Sequence, residues 1–210
     1  MAEFGMRIQF VLLFLLLLAA GCSTPMVVHP PADRPTREAL ALTEVKRLGQ
    51  PGDWLVMRGY HPTDNLVAVA TSAPFSHVAV FDPERGQVIE AEGKGLHTAT
   101  LADFLHRAHR VILMRPMWAT TPERQAAAVE KARTLVGKPY DFTGLIGLNH
   151  PDRYYCSELA VAVYAPHASR KDRLPLVIPP GEMHYWATIL WDSGPVAEQP
   201  AGLSALSPSR

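Results

Sequence analysis

The number of cysteines most constrains how this chain can fold. The sequence contains two, Cys22 and Cys156, in 210 residues, which is too few for a disulfide scaffold. Cys22 ends a hydrophobic leader in a setting that predicts lipidation of its sulfur, so Cys156 has no intramolecular disulfide partner. Cys156 stands at the start of an apolar, helix-like run. It is therefore either a buried packing residue or a nucleophile, and most of the question of function depends on that choice.

The N-terminal leader has the pattern of a lipoprotein signal. Arg7 precedes an unbroken apolar stretch at 10–20, which is shorter than the roughly 20 residues of a membrane span and fits a signal h-region. Two alanines and a glycine then lead to Cys22, which resembles a bacterial lipobox, whose cysteine is acylated and becomes the mature N-terminus. An ordinary signal peptide is the weaker interpretation. Met6 offers a cleaner start than Met1, because an acidic residue lies between them.

The residue after the lipobox cysteine favours an outer-membrane location. Gram-negative lipoproteins that stay at the inner membrane usually have aspartate at this position, and this chain has Ser23. The resemblance therefore implies a cell-envelope protein that faces the periplasm. Three acyl chains on Cys22 anchor firmly, since one chain alone is marginal. A membrane is thus an expected partner.

Composition and proline content predict one domain after the signal peptide at 1–22. The remaining chain of about 190 residues fits a single domain. Residues 23–35 are proline-rich and predict an extended tether, the folded domain is expected at 36–192, and 193–210 has the composition of a disordered tail. Acidic and basic residues number 20 each. This balance argues against a nucleic-acid partner, which requires a basic face.

Hydrophobic periodicity and turn residues predict an α+β fold, with a small antiparallel sheet and helices packed on it. Helices are predicted at 36–48, 100–106, 121–136 and 156–164, and strands at 52–58, 77–81, 87–92 and 111–114. The turn residues between the second and third strands make them a hairpin. Two apolar segments, 66–70 and 142–148, fit either a helix or a strand.

The environment of Cys156 supports nucleophilic chemistry. A thiol attacks as the thiolate, and a helix N-terminus or a neighbouring imidazolium lowers its pKa from about 8.5 to 3.5–7.5. His77 differs from most of the nine histidines because it opens an apolar strand. In the predicted hairpin, Glu90 lies on the neighbouring strand and can reach the far nitrogen of His77. Glu92 has the same face parity and is the rival to Glu90.

The histidine and the acid precede the cysteine in this chain, whereas papain-like enzymes have the cysteine first. With that order, the sequence resembles the permuted papain-like group of the NlpC superfamily, the YaeF/YiiX-like family, several of whose members are lipoproteins. The resemblance extends over about 51–165. It rests on five segments in order: GDWL at 52–55, SHVAV at 76–80, VIEA at 88–91, GKPYD at 137–141 and YCSEL at 155–159.

The resemblance implies a circularly permuted papain-like fold and a cysteine hydrolase that cleaves an amide bond through a thioester acyl-enzyme. It implies Cys156, His77 and Glu90 as the catalytic triad, and it suggests Tyr140 and Tyr155 as residues that line the substrate cleft. The expected substrate is a small-molecule, peptide or lipid amide, and no cofactor is expected.

Other interpretations remain beside this one. The same triad can serve a lipid or acyl-ester hydrolase or an acyltransferase, and a non-catalytic envelope-binding lipoprotein can retain the fold. His106 and His109 have the spacing of two ligands on one helix face. No third ligand stands out, and a structural zinc site needs four ligands, so no metal is expected.

Overall fold

The computed structural model describes residues 28–194. The predicted signal peptide with Cys22, the first part of the tether at 23–27 and most of the predicted tail lie outside these residues. In the part that is described, no helix is both long enough and apolar enough to cross a membrane.

Helices and strands alternate irregularly along the chain. The helices are α1 (Arg34–Leu48), α2 (Pro62–Ala70), α3 (Leu101–His106), α4 (Pro122–Leu135) and α5 (Cys156–Ala162). The strands are β1 (Trp54–Gly59), β2 (His77–Asp82), β3 (Gln87–Glu92), β4 (Gly95–Thr100), β5 (Ala108–Pro116) and β6 (Ala187–Asp192). Short 3-10 helices connect several of them, the longest at Pro180–Trp186.

The strands form one six-stranded sheet in the order β4-β3-β2-β1-β5-β6, and each neighbouring pair is antiparallel. The predicted α+β class is therefore confirmed. The β2–β3 hairpin forms where the turn residues predicted it. Gly86 ends the turn with φ 61°, a left-handed conformation that glycine adopts without steric cost.

The structure differs from the sequence prediction mainly at the sheet edges. Strands β4 and β6 were not predicted, because as edge strands they leave several side chains exposed and lack a clear apolar pattern. The ambiguous segment 66–70 is the end of α2, and 142–148 is a loop with a single 3-10 turn. Helix α1 begins at Arg34 rather than at residue 36, and Pro35 lies in its first turn. A backbone N–H at this position has no partner within the helix, so proline, which has no N–H, costs no hydrogen bond there.

The sheet lies between two helical layers, so the central strands β1 and β2 are buried along their whole length. On one face, Val78 and Val80 join a core cluster with residues of α4 and α5. On the other, Ala79 and Phe81 join a cluster with residues of α1 and α3. His77 has the face parity of Ala79, and its ring lies 6.2 Å from that of Phe104 on α3.

Candidate active site

Cys156 is the first residue of α5 and is 6% exposed. The start of this helix is held on both sides. The Glu158 carboxylate accepts a hydrogen bond from the Tyr155 backbone N–H at 3.2 Å. Ser157 Oγ donates to the Ile178 carbonyl at 2.5 Å, and the Ile178 N–H donates to the Tyr155 hydroxyl at 2.9 Å. The thiol is thus presented from a fixed helix start, as the sequence predicted.

The hairpin brings His77 and Glu90 into direct contact. Ala79 pairs with Glu90 across β2 and β3, and His77 Nε2 lies 2.7 Å from Glu90 Oε2. Both side chains are buried, with Glu90 fully so. The rival Glu92 instead accepts a hydrogen bond from His97 Nε2 at 2.9 Å. Of the two carboxylates, Glu90 is therefore the one that contacts His77.

Cys156 and His77 stabilise each other's charged forms. Burial raises the pKa of the Cys156 thiol, but hydrogen bonding to His77, the imidazolium charge and the Val78 backbone N–H lower it below its usual value. Burial lowers the pKa of His77, but its hydrogen bonds to Cys156 and Glu90, and their charges, raise it to about 10. The arrangement therefore favours a thiolate–imidazolium pair over the neutral thiol and imidazole.

Arg107 also belongs to this site, although no pattern in the sequence points to it. Its Nη2 lies 2.6 Å from Glu90 Oε1, and its Nη1 donates to Glu92 Oε1. Arg107 follows the end of α3, a position where a basic residue is commonly explained by the helix dipole. No local pattern in the sequence connects it to a strand 15 residues earlier.

One group of possible metal ligands lies in this region. Donor atoms of His77, Glu90 and Glu92 lie within 4.8 Å of one another, and nitrogen and carboxylate oxygen are donors that zinc accepts. However, the Arg107 guanidinium contacts both carboxylates and already supplies positive charge there. These residues therefore fit an arginine-bridged carboxylate pair better than a metal centre.

The two tyrosines suggested for the cleft occupy different environments. Tyr140 is half-buried, its ring lies 4.8 Å from that of Phe142, and burial together with the charge of Cys156 raises its pKa. Tyr155 is 2% exposed, and its hydroxyl oxygen accepts a hydrogen bond from the Ile178 backbone N–H. The position of Tyr140 is compatible with a substrate contact, whereas the burial of Tyr155 favours a packing role.

An exposed apolar surface adjoins Tyr140. We define the apolar rim as the exposed side chains of Phe142, Leu145, Ile146, Leu148 and Leu176. The buried Asp141 carboxylate holds the loop, accepting backbone N–H groups of Thr143 at 3.0 Å and Gly144 at 2.9 Å. Asn149 Nδ2 donates to the Leu176 carbonyl at 3.2 Å and joins the two parts of the rim. Contiguous exposed apolar surface of this kind commonly marks a binding site.

Comparison with known proteins gives one family match. The model of the family described as "Permuted papain-like amidase enzyme, YaeF/YiiX, C92 family" matches residues 50–174, a span that contains Cys156, His77 and Glu90. No curated protein matches. A crystal structure described as metalloprotein yiiX from Escherichia coli O157:H7 is similar, with 24% identity and a TM-score of 0.48. The match covers 56% of this chain and 66% of that chain, just under two thirds of its length.

Proposed function

This chain belongs to the permuted papain-like amidase family, YaeF/YiiX, C92, and we propose that it hydrolyses an amide bond through Cys156, His77 and Glu90. Membership makes it a hydrolase of the cysteine-peptidase type. The observation that carries the residue assignment is the 2.7 Å contact between His77 and Glu90, both buried, with Cys156 among the groups that raise the pKa of His77. A nucleophile, a base and a group that orients the base are the parts that covalent catalysis requires.

In the proposed mechanism, the Cys156 thiolate attacks the amide carbonyl carbon. The backbone N–H of Cys156, at the start of α5, has no partner within the helix and donates to the developing oxyanion. The His77 imidazolium protonates the leaving amine as the C–N bond breaks, which leaves a thioester. Neutral His77 then takes a proton from water, whose oxygen attacks the thioester. The C–S bond breaks, the acid departs and the ion pair returns, while Glu90 remains ionised and orients His77.

The test is turnover by the full-length chain, in detergent, on a panel of peptide and N-acyl amides. We expect Cys156→Ala and His77→Gln each to reduce kcat/KM by roughly 10⁴-fold or more. Mass spectrometry of rapidly quenched enzyme is expected to detect an acyl group on the peptide that contains Cys156. Cys22→Ser, which removes the chain's other cysteine, is the matched control and retains turnover. Persistence of turnover in Cys156→Ala contradicts the proposal.

We further propose that Cys22 anchors the protein to the outer membrane, facing the periplasm. The support is the leader sequence, with its apolar stretch, the residues before Cys22, and Ser23. Because α1 begins at Arg34, the tether holds the domain within about 40 Å of the bilayer even when fully extended. In cells fed a palmitate analogue, the wild type is expected to be labelled and to sediment with outer membranes. A Cys22→Ser chain that still carries the label contradicts the anchor.

The apolar rim favours a second candidate, the hydrolysis or transfer of an acyl ester on the same triad. Phe142 packs on Tyr140, whose pKa is raised by burial and by the charge of Cys156, so the rim begins next to a residue that lies near the thiol. A long acyl chain is a ligand whose chemistry matches such a surface, since each buried methylene contributes about 0.8 kcal/mol. The thiolate mechanism serves an ester equally well, with an alcohol as the leaving group.

Paired amides and esters of the same acyl group, from two to sixteen carbons, separate the candidates. If the rim binds the chain, kcat/KM rises roughly two- to fourfold per methylene, and Ile146→Ser flattens that dependence. Ile189→Ser is the matched control, because Ile189 is exposed on the edge strand β6. A chain-length dependence that is identical in both variants excludes the rim as an acyl subsite. Because the ester is the intrinsically more reactive member of each pair, turnover of the amides identifies an amidase, whereas an enzyme that cleaves the esters and leaves every amide intact is an esterase.

A further inference from the structure

The carboxylate that contacts His77 is itself held by a second charged group. Glu90 divides its two oxygens between partners: Oε2 lies 2.7 Å from His77 Nε2, and Oε1 lies 2.6 Å from Arg107 Nη2. Arg107 also donates to Glu92 with its other terminal nitrogen. One guanidinium thus bridges two carboxylates of the same strand face, a fork geometry that lysine cannot reproduce.

The position of Arg107 is also fixed by Phe104 of α3. Its guanidinium lies 5.6 Å from the ring centre of Phe104, and the same ring lies 6.2 Å from that of His77. The bridging arginine and the imidazole therefore pack against one aromatic side chain on α3. Any displacement of Arg107 changes the surroundings of Glu90 at its second oxygen and of His77 through Phe104.

The charges around Glu90 show why a bridge is required. Glu90 is fully buried, and Glu92, two residues along the same strand face, repels a second negative charge. The ionisable groups that face Glu90 are His77 from β2, Glu92 from β3, His97 from β4, with Nε2 at 3.9 Å, and Arg107 from the end of α3. Two nearby carboxylates without a compensating cation retain a proton between them. A protonated Glu90 cannot stabilise the His77 imidazolium.

We propose that Arg107 is a positioning residue, which keeps Glu90 ionised and directed at His77 by bridging it to Glu92. Arg107 acts through Glu90 and takes no part in bond making. This role rests on the proposed function of His77 and Cys156. Electrostatics agree with the geometry, because burial raises the pKa of Glu90 while His77 and Arg107 lower it below its usual value.

The test measures the pH dependence of Cys156 alkylation by iodoacetamide in the full-length chain, which requires no knowledge of the substrate. In Arg107→Gln, Glu90 keeps its proton to higher pH, so the imidazolium and the thiolate are stabilised less. We expect the midpoint of alkylation to rise by about one pH unit or more, so that the rate at any pH below the wild-type midpoint falls roughly tenfold. Arg107→Lys restores the charge but not the fork, so it is expected to return only part of the midpoint shift.

The matched control is Arg110→Gln, because Arg110 lies three residues along and makes a fork with Asp192 at 2.9 and 2.5 Å. Its midpoint is expected to equal that of the wild type. An unchanged midpoint in a folded Arg107→Gln overturns the proposal, as does a rate that falls equally at every pH. Failure of the triad itself is a different result, since Cys156→Ala then retains turnover whatever Arg107 does.

Discussion

At the scale of single residues, Cys156 and His77 determine each other's charge. Both are almost completely buried, and burial alone favours a neutral thiol and a neutral imidazole. Two interactions reverse this preference. His77 lowers the pKa of the Cys156 thiol, and Cys156 together with the Glu90 carboxylate raises the pKa of His77. The thiolate–imidazolium pair is therefore the favoured form over the pH range that begins at the lowered pKa of Cys156 and ends at the raised pKa of His77, about 10.

The first prediction concerns the loss of the His77 imidazole, which lowers the pKa of Cys156. In His77→Gln, only burial and the weaker hydrogen bonds act on the thiol, so its pKa rises and alkylation of Cys156 slows at least tenfold at a pH below the wild-type midpoint of alkylation. The rates of the variant and the wild type converge at alkaline pH, where both are thiolates. Peptide-resolved mass spectrometry after timed iodoacetamide exposure measures this. His106→Gln, an exposed histidine paired with Glu38, is the control, and an equal slowing there contradicts the prediction.

At the scale of elements, the start of α5 determines where the thiol points. Tyr155 is extended, at φ −89° and ψ 172°, and Cys156 begins the helix. The Glu158 side chain folds back onto the Tyr155 N–H. Burial and the charge of Asp141 raise the pKa of Glu158 to about 7, although the Tyr155 N–H lowers it. This helix start therefore contains a carboxyl group that loses its proton near neutral pH.

The second prediction follows from linkage at Glu158. A carboxyl whose pKa is raised in the folded state contributes stability below its ordinary pKa and loses it as the pH rises through about 7. Glu158→Gln keeps the acceptor for Tyr155 but not the charge. We therefore expect the Tm of the variant, relative to wild type, to be higher at pH 8 than at pH 4.5. Thermal unfolding at both values measures the change, and a Tm difference that is the same at both contradicts the assignment.

At the scale of the whole molecule, the sheet carries His77 and Glu90 while a helix from the opposite layer carries Cys156. Buried contacts hold the helix α5 in position against the sheet. Trp54 of β1 donates its indole N–H to the Ala160 carbonyl of α5 at 3.0 Å, and its ring meets Trp118 and Tyr164 edge-on. Tyr164 in turn donates its hydroxyl to the Gly52 carbonyl at 3.1 Å.

The third prediction tests this connection between sheet and helix. Trp54→Phe leaves a buried carbonyl unpaired and a cavity beside α5, at a cost of about 2–4 kcal/mol. The Tm is expected to fall by roughly 5–15 °C for a domain of this size. Trp191→Phe, at a half-buried position on the edge strand β6, is the control and is expected to lose less. Equal losses in the two variants contradict a special role for Trp54.

The amino-acid sequence by itself determined the parts that depend on neighbours in the chain. Two short apolar strands and the turn between them predicted the hairpin of His77 and Glu90, and the change from polar to apolar residues at Cys156 predicted a helix start. Only the tertiary structure decided what depends on contacts between distant segments. In the folded chain, Glu90 rather than Glu92 contacts His77, and Tyr155 is buried against Ile178. The sheet has two edge strands that the sequence did not predict, and Arg107, which follows α3, contacts both carboxylates. Local sequence patterns indicate the backbone conformation and burial of neighbouring residues. These contacts join residues that are distant in the sequence, and they form only when the hairpin, α3 and α5 pack together at one end of the sheet.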